Sequence, residues 1–231
     1  MKSKILIIYS HPDKESYNKE ILTKTIEILK EKKMDYQVLD LYKMKFNPIL
    51  EKEELNRIIS NETKEIQNKI KESNKLIFIY PIWWGTMPAI LKGFCDRVFT
   101  PGFAYKYVNS IPRGLLKNKK ALVLTTSGAP KIYNLLTCNK FTKGLTKNIL
   151  SFCGIASSSY IFGSALNLEK DKLKIKEFTE KKVNKFLRKW FFLKRKKSCN
   201  FFKRSCIFFC SICSVFYKSW KPKCKSFISI N

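Results

Sequence analysis

The sequence predicts an α/β fold built on a doubly wound parallel sheet of five strands. Short apolar runs alternate with longer segments of helical period along residues 4–189. Polar loops follow the first, third and fourth of these runs. Because parallel strands are joined by right-handed helical crossovers, this alternation favours a sheet with helices on both faces. At 231 residues, the chain is long enough to bury the core that such a domain needs.

The most informative segment comprises residues 75–103. It begins with the run KLIFIY, which predicts a buried strand, and Pro81 ends the run because proline has no N–H for a sheet ladder. The apolar residues that follow recur at the helical period: Met87, Ile90, Leu91, Phe94, Cys95 and Val98. Thr86 is the expected N-cap of this helix, with Pro88 in its first turn.

The remaining elements follow from the same two periods. They are, in order, strand 4–9, a helix from about Ser16, strand 36–41, irregular chain 42–50, a polar helix in two pieces over 51–73, a long loop 100–114, strand 120–126, helix 139–153, strand 157–162 and helix 170–189. A loop as long as 100–114 is usually functional in a compact domain. The expected strand order is 2-1-3-4-5, the flavodoxin-like arrangement.

Three loops follow the carboxyl ends of the first, third and fourth strands, so they open on one edge of the sheet. Residues 10–18 place hydroxyls, an amide and the only histidine where a helix presents free N–H groups, which suits a phosphate. Residues 81–86 offer large rings to a flat heterocycle. Residues 125–133 include a glycine that lets backbone N–H groups approach a ligand closely. Open sheets of this class bind ligands at this edge.

Each loop also has a plain structural interpretation. Residues 10–18 are equally typical of a turn that leads into an N-cap, and residues 125–133 are typical of an ordinary turn. Trp83 and Trp84 would serve as core or dimer-contact aromatics, since rings of this size carry a large buried area. The convergence of all three loops at one edge is what favours a ligand site.

The composition is strongly basic, with a formal net charge of +28. Of the 46 lysine and arginine residues, 15 lie after Glu180, and no acidic residue follows it. Residues 190–231 are therefore expected to form a basic, aromatic tail beside a domain spanning residues 1–189. A basic balance favours anionic partners such as nucleotide phosphates, nucleic acid or acidic lipid surfaces. The apolar run after MKSK is too short for a signal peptide, which indicates a cytoplasmic protein whose Cys95, Cys138 and Cys153 are buried thiols.

The tail has four open interpretations. Cys206, Cys210 and Cys213 have the spacing found in radical cluster enzymes, but the barrel of those enzymes is not indicated here, and no metal site is expected. A basic and aromatic segment suits weak contact with an anionic membrane surface. Nucleic-acid binding fits the charge but lacks a fold-level motif, so no specific nucleic acid is expected. The fourth interpretation is an extension without a role of its own.

Three motifs together resemble the flavodoxin-like NAD(P)H:quinone oxidoreductase family. They are SHPDKESYN at 10–18, PIWWGTMPAILKGFCDRVFTPGFAY at 81–105 and TTSGAPKIY at 125–133. The resemblance covers residues 3–165 and does not extend to the tail. It implies a flavin cofactor, FAD or FMN, and NAD(P)H as the co-substrate. Hydride would pass from NAD(P)H through flavin N5 to a quinone or similar acceptor.

The resemblance also implies roles for individual residues. The flavin phosphate and ribityl chain would be held by His11, Ser16, Tyr17 and Asn18. The isoalloxazine would be lined by Pro81, Ile82, Trp83 and Trp84, with Thr125, Thr126, Ser127 and Gly128 along its pyrimidine side. Gly128 and Tyr133 would stabilise the negative charge that develops on the reduced ring. Tyr105 and Tyr107 would cover the site of a neighbouring subunit in a homodimer.

One position departs from the family pattern. The mammalian enzyme has a histidine six residues after the tyrosine that corresponds to Tyr133, and this chain has Asn139 there. A Tyr–His proton relay is therefore not assumed. Two other functions stay open at this point: an ancillary flavin-binding subunit that regulates a membrane transporter, and a flavodoxin-type electron carrier.

Overall fold

A computed structural model describes residues 4–56, 58–137 and 140–188. Its strands are β1 (Ile5–Tyr9), β2 (Tyr36–Asp40), β3 (Lys75–Pro81), β4 (Tyr105–Val108), β5 (Ile111–Gly114), β6 (Lys120–Thr126) and β7 (Ala156–Phe162). Its α-helices are α1 (Tyr17–Glu31), α2 (Lys52–Leu55), α3 (Asn61–Glu72), α4 (Ala89–Val98), α5 (Lys131–Leu136), α6 (Lys140–Lys143) and α7 (Leu168–Arg188). A π-helix, Gly144–Ser151, follows α6 directly.

The main sheet has the strand order β2-β1-β3-β6-β7, and every pairing in it is parallel. Since β6 and β7 are the fourth and fifth strands of the predicted sheet, the predicted order 2-1-3-4-5 is confirmed. β3 lies at the centre and all seven of its residues are buried. A strand that is covered on both faces reads as a continuous apolar run, which is why the sequence indicated it so clearly.

Two hydrophobic layers cover the sheet. On one face, Leu91 and Phe94 of α4 pack with β3 residues such as Phe78. On the other face, Ile21 of α1 and Ile175 of α7 pack with the alternate side chains of the strands. This is the three-layer arrangement predicted from the alternation of strands and helices.

The start of α4 differs from the prediction. Pro88, and not Thr86, is the N-cap, while Thr86 forms a bridge with Trp83.

The end of β3 differs from the prediction as well, because Pro81 lies within this strand and does not end it. N–H groups alternate in direction along a parallel strand, and Ile82 N–H donates to Thr126 O at 2.8 Å. An N–H at position 81 would therefore point to the opposite side, past the end of β1. The proline costs the sheet no ladder hydrogen bond there.

The segment 100–114, expected to be a loop, contains an antiparallel hairpin of β4 and β5. Its turn residues Asn109 and Ser110 both have positive φ, 50° and 61°, as a two-residue type I′ turn requires. The strands have four residues each and are largely exposed, so no buried alternating pattern marks them. Polar exposed strands carry little hydrophobic signal, which explains why the sequence did not indicate them.

The C-terminal third also differs in detail. The single helix expected over 139–153 consists of α6 and the π-helix, and α5 precedes them. Cys95 and Cys153 are buried in the core as predicted, and burial raises the pKa of both thiols, that of Cys153 to about 12.

Cys138, Asn139 and the tail 190–231 lie outside the described residues. None of the helices within the described ranges is long and apolar enough to cross a membrane.

Candidate functional site

The three polar loops meet at one edge of the sheet. They follow β1, β3 and β6, which are neighbours in the strand order. Direct contacts join them: the rings of His11 and Trp83 lie 5.8 Å apart, and Asn18 Nδ2 donates to Thr126 Oγ1 at 2.9 Å. The edge is thus one continuous surface built from all three loops.

The first loop ends in a capped helix. Ser16 is the N-cap of α1, and its hydroxyl accepts the N–H of Lys19 at 3.2 Å. The N–H groups of Tyr17 and Asn18, in the first turn, have no hydrogen-bond partner among the described residues. His11 belongs to the same loop, and its Nδ1 lies 3.1 Å from Asp13 N and 3.2 Å from Asp13 O. Unpaired N–H groups at a helix N-terminus suit an anion.

The side chain of Tyr17 does not point to a ligand role. Its hydroxyl donates to Asp171 Oδ2 of α7 at 2.9 Å, and its ring packs on Phe162 with 5.8 Å between centroids. Burial, and then the bond to Asp171, raises the pKa of Tyr17 to about 12. Tyr17 therefore offers its backbone N–H to the edge, while its side chain ties α1 to α7.

The second loop is a tight turn with two exposed indoles. Trp83 N–H donates to Thr86 O, and Thr86 N–H donates to Trp83 O, both at 3.0 Å. Trp84 and Gly85 between them have φ of 50° and 74°, so this is a type I′ turn. Trp83 is 40% exposed and Trp84 fully exposed, which excludes the interpretation of these rings as core residues. A non-glycine residue in this backbone region is uncommon and bulky ones are strained.

The third loop is held rigidly but leaves one N–H free. Thr125, Thr126 and Ser127 are buried, and Ser127 N–H donates to Phe162 O at 2.9 Å. Asn134 of α5 braces the loop because its Nδ2 donates to Ala129 O at 3.2 Å. The N–H of Gly128, an exposed residue, has no partner within the described part of the chain.

An aromatic contact that the sequence did not indicate joins the second and third loops. Tyr133 of α5 is half exposed, and its ring stacks on Phe141 of α6 with centroids 6.1 Å apart and planes at 27°. The Phe141 ring also faces the Trp–Trp turn, since a Cβ added to Gly85 would lie 3.3 Å from Cδ1 and Cε1 of Phe141. Phe141 belongs to no motif, so only the folded structure places it here.

Tyr105 and Tyr107 lie on the β4–β5 hairpin. The Tyr105 ring contacts Tyr107, at 5.8 Å, and Phe152, at 4.8 Å. Tyr107 is 62% exposed, and the neighbouring Val108 and Ile111 are exposed as well. The ring contacts found for these tyrosines are with each other and with Phe152, and not with the three loops of the same chain.

The donor set at the edge fits a flat heterocycle that carries a phosphate. Two buried oxygens there, Ser10 Oγ and Asn18 Oδ1, have no hydrogen-bond partner among the residues described. Buried polar atoms are normally paired, so both suit a ligand rich in hydroxyl groups. The free N–H groups of α1 suit the phosphate, and the indoles suit a planar ring. Over the described ranges no group of three or more His, Cys, Asp or Glu residues forms a metal site.

Comparison with known proteins agrees with this geometry. A family model described as the flavodoxin-like fold matches residues 3–186. An uncharacterized NAD(P)H oxidoreductase of Haemophilus influenzae is 34% identical over 174 residues, which cover 72% of this chain and 86% of that protein. NAD(P)H dehydrogenase [quinone] 1 of Cavia porcellus is 33% identical over 175 residues, covering 64% of each protein.

A solved structure extends the comparison. The NAD(P)H:quinone oxidoreductase from Methanothermobacter marburgensis superposes with a TM-score of 0.69 at 28% identity, covering 78% of this chain and 98% of that chain. The family-model match over residues 3–186 contains all three loops of the site, and the resemblance stated from their motifs is confirmed. The chain belongs to the flavodoxin-like fold family, and its relatives there are NAD(P)H and quinone oxidoreductases.

Proposed function

We propose that this protein is a flavin-dependent NAD(P)H oxidoreductase that reduces quinones or similar acceptors. The observation that carries the proposal is the edge itself, where unpaired N–H groups from α1 and from Gly128 flank two exposed indoles. The names of the relatives support the same reaction class. A planar cofactor with a phosphate at one end matches this arrangement of donors.

The first loop holds the phosphate in this proposal. The N–H groups of Tyr17 and Asn18 donate to it, and the positive end of the α1 dipole adds attraction. His11 belongs to the same loop, while Ser16 keeps α1 capped and so keeps those N–H groups in place. One helix N-terminus is sufficient for the single phosphate of FMN, so we favour FMN over FAD.

The second and third loops hold the ring. Backbone groups of Pro81 and Ile82 and the indoles of Trp83 and Trp84 lie along one side of the edge, with Thr125, Thr126 and Ser127 along the other. When bound, the flavin supplies the redox chemistry: it accepts a hydride from NAD(P)H and delivers two electrons to the acceptor. The protein then has to bind, orient and stabilise charge.

Charge stabilisation falls to Gly128 and Tyr133. The free Gly128 N–H can donate to an oxygen or nitrogen of the pyrimidine ring on which negative charge develops, in the manner of an oxyanion hole. The hydroxyl of Tyr133 is on a half-exposed side chain, so it can exchange its proton with water. The hydrogen bonds found for the His11 ring are with Asp13 of the same loop.

We further propose a cytoplasmic homodimer. Tyr105 and Tyr107 are held on a hairpin with several exposed apolar residues, which suits a surface that covers the site of a second copy. The acceptor would then lie between the indoles of one subunit and the hairpin of its partner. We assign this reaction to the domain 1–189, because all three loops of the site lie within it.

The experiment that tests the function is a visible spectrum of the purified full-length protein, followed by anaerobic addition of NADPH and then NADH. A two-band flavin spectrum that bleaches within seconds and recovers on addition of 2-methyl-1,4-naphthoquinone is the expected result. A colourless protein that takes up neither FMN nor FAD would refute the proposal. Chromatography of the released cofactor decides between FMN and FAD.

A further inference from the structure

Phe141 has a position that the reaction proposed above does not yet explain. It lies on α6, outside the three loops, yet its ring contacts the rim of the site in two places. It stacks on Tyr133 with centroids 6.1 Å apart, and it faces Gly85 of the Trp–Trp turn.

The segment that carries Phe141 is firmly anchored. The next residue, Thr142, is 1% exposed, and its hydroxyl lies 3.0 Å from Ser159 Oγ of β7. The π-helix that follows buries Leu145 and Leu150 in the core. Phe141 is therefore fixed to the body of the domain, and the exposed residues that touch it take their position from it.

Tyr133 is the residue that needs such support. Its side chain is half exposed, and its hydroxyl makes no hydrogen bond within the described residues. The ring contact found for it is the stack on Phe141. An offset stack of two aromatic rings is favourable beyond the area it buries, so it can fix the orientation of an otherwise mobile side chain.

We propose that Phe141 is a positioning and specificity-determining residue of the acceptor site. It holds the Tyr133 ring beside the Trp83–Thr86 turn and completes an aromatic wall that favours flat, aromatic acceptors over acceptors without a ring. This inference rests on the proposed function. It adds a residue that acts on the acceptor directly and on charge stabilisation through Tyr133.

The test compares two acceptors in the FMN-loaded, full-length protein. One is 2-methyl-1,4-naphthoquinone, a flat ring system that takes two electrons and two protons. The other is ferricyanide, which takes single electrons and has no ring to stack. The variants are Phe141→Leu and Phe141→Met, which remove the ring, and Phe141→Tyr, which keeps it. Phe178→Leu, a matched loss of a ring that packs edge-on against Phe162, is the control.

Loss of the Phe141 ring should raise KM for the naphthoquinone by about 2- to 10-fold, the range expected for one aromatic contact. Because Tyr133 also stabilises charge on the reduced ring, reduction by NADPH should slow by the same factor whichever acceptor follows. We expect an unchanged KM for ferricyanide and unchanged kinetics in the control. Phe141→Tyr should restore the naphthoquinone KM. In a Tyr133→Leu background, Phe141→Leu should have no further effect, because the partner that it positions is gone.

The inference is overturned if a folded ring-less variant raises KM equally for both acceptors, or if Phe141→Tyr is as impaired as Phe141→Leu. Thermal unfolding and flavin absorbance identify the folded variants. Two ring-less substitutions, leucine and methionine, are included so that the test can proceed if one of them does not fold. A wild-type protein that binds no flavin overturns the function as well, whereas an active wild type with silent Phe141 variants overturns this inference alone.

Discussion

Arg97 binds both carboxylate oxygens of Glu54, with Nε 2.7 Å from Oε2 and Nη2 2.8 Å from Oε1. Both side chains are buried, at 6% and 5% exposure. Arg97 Nη1 also donates to Asn47 O, so one side chain of α4 fixes the whole crossover that follows β2. The helix α4 follows the Trp83–Thr86 turn directly. The ion pair therefore fixes the helix to which the second loop of the site is attached.

The ion pair gives the first prediction. Glu54→Gln removes one partner and leaves a buried guanidinium without its counter-charge, so we expect a loss of about 3–5 kcal/mol in the free energy of unfolding. Urea unfolding of the apoprotein measures it. Glu72→Gln, at the surface pair with Lys4, is the matched control and should change little. Equal losses in the two variants would contradict the prediction.

The same pair predicts a pH dependence. The hydrogen bond from Arg97 lowers the pKa of Glu54 below its usual value. A group with a depressed folded pKa contributes stability above its unfolded pKa and loses it as the pH falls through the folded value. The wild type should therefore lose urea resistance between about pH 5 and pH 2, and Glu54→Gln should show a flatter profile over that range.

Substitution of Trp84 should have opposite effects on the stability of the apoprotein and on flavin binding. Its φ of 50° is unfavourable for a tryptophan and acceptable for an asparagine. Trp84→Asn should therefore stabilise the apoprotein by about 1 kcal/mol and at the same time weaken FMN binding, because the exposed indole is lost. Thermal unfolding and FMN fluorescence titration measure the two effects. Trp84→Leu, which keeps the strain and loses the ring, should weaken binding without any gain in stability.

Tyr17 separates a backbone role from a side-chain role. Tyr17→Phe removes the hydroxyl that bonds Asp171 but leaves the N–H at the start of α1. We expect a loss of about 1–2 kcal/mol in stability and an unchanged dissociation constant for FMN. A large loss of FMN affinity in a fully folded Tyr17→Phe protein would show that the hydroxyl itself serves the cofactor.

Substitutions at Gly128 test whether its backbone N–H stabilises the negative charge of the reduced cofactor. Gly128→Pro removes that N–H and should slow reduction by NADPH by about 100-fold, the usual cost of losing one such donor. Gly128→Ala is the control, because a Cβ there would meet only Leu166 Cδ2 at 3.7 Å and the N–H is retained. Stopped-flow absorbance follows the reduction. Equal rates in the two variants would contradict the assigned role.

The sequence predicted the sheet and the meeting of three polar loops at one of its edges for a physical reason. Buried parallel strands such as β3 carry continuous apolar runs, and polar loops at their carboxyl ends are easily recognised. The hairpin β4–β5 was missed because its strands are short and exposed. The contact of Phe141 with Tyr133 was missed because it joins two helices whose mutual placement no local pattern encodes.

Other differences concern what a side chain does after its backbone is placed. Tyr17 was expected at the cofactor, yet its hydroxyl binds Asp171, which lies 154 residues further along the chain. Thr86 was expected to cap α4, yet it closes the turn with Trp83. In both cases a local rule placed the residue in its loop, and a tertiary or cross-turn hydrogen bond decided what its side chain contacts.

The exposed hairpin has a consequence for how the protein is assayed. If Tyr105 and Tyr107 complete the site of a second copy, catalysis follows mass action between subunits. Specific activity should then fall on dilution and recover on concentration, while the flavin stays bound and the secondary structure stays intact. A Tyr107→Lys variant should lose specific activity at a higher protein concentration than the wild type does. Activities are then comparable only when they are measured at the same enzyme concentration.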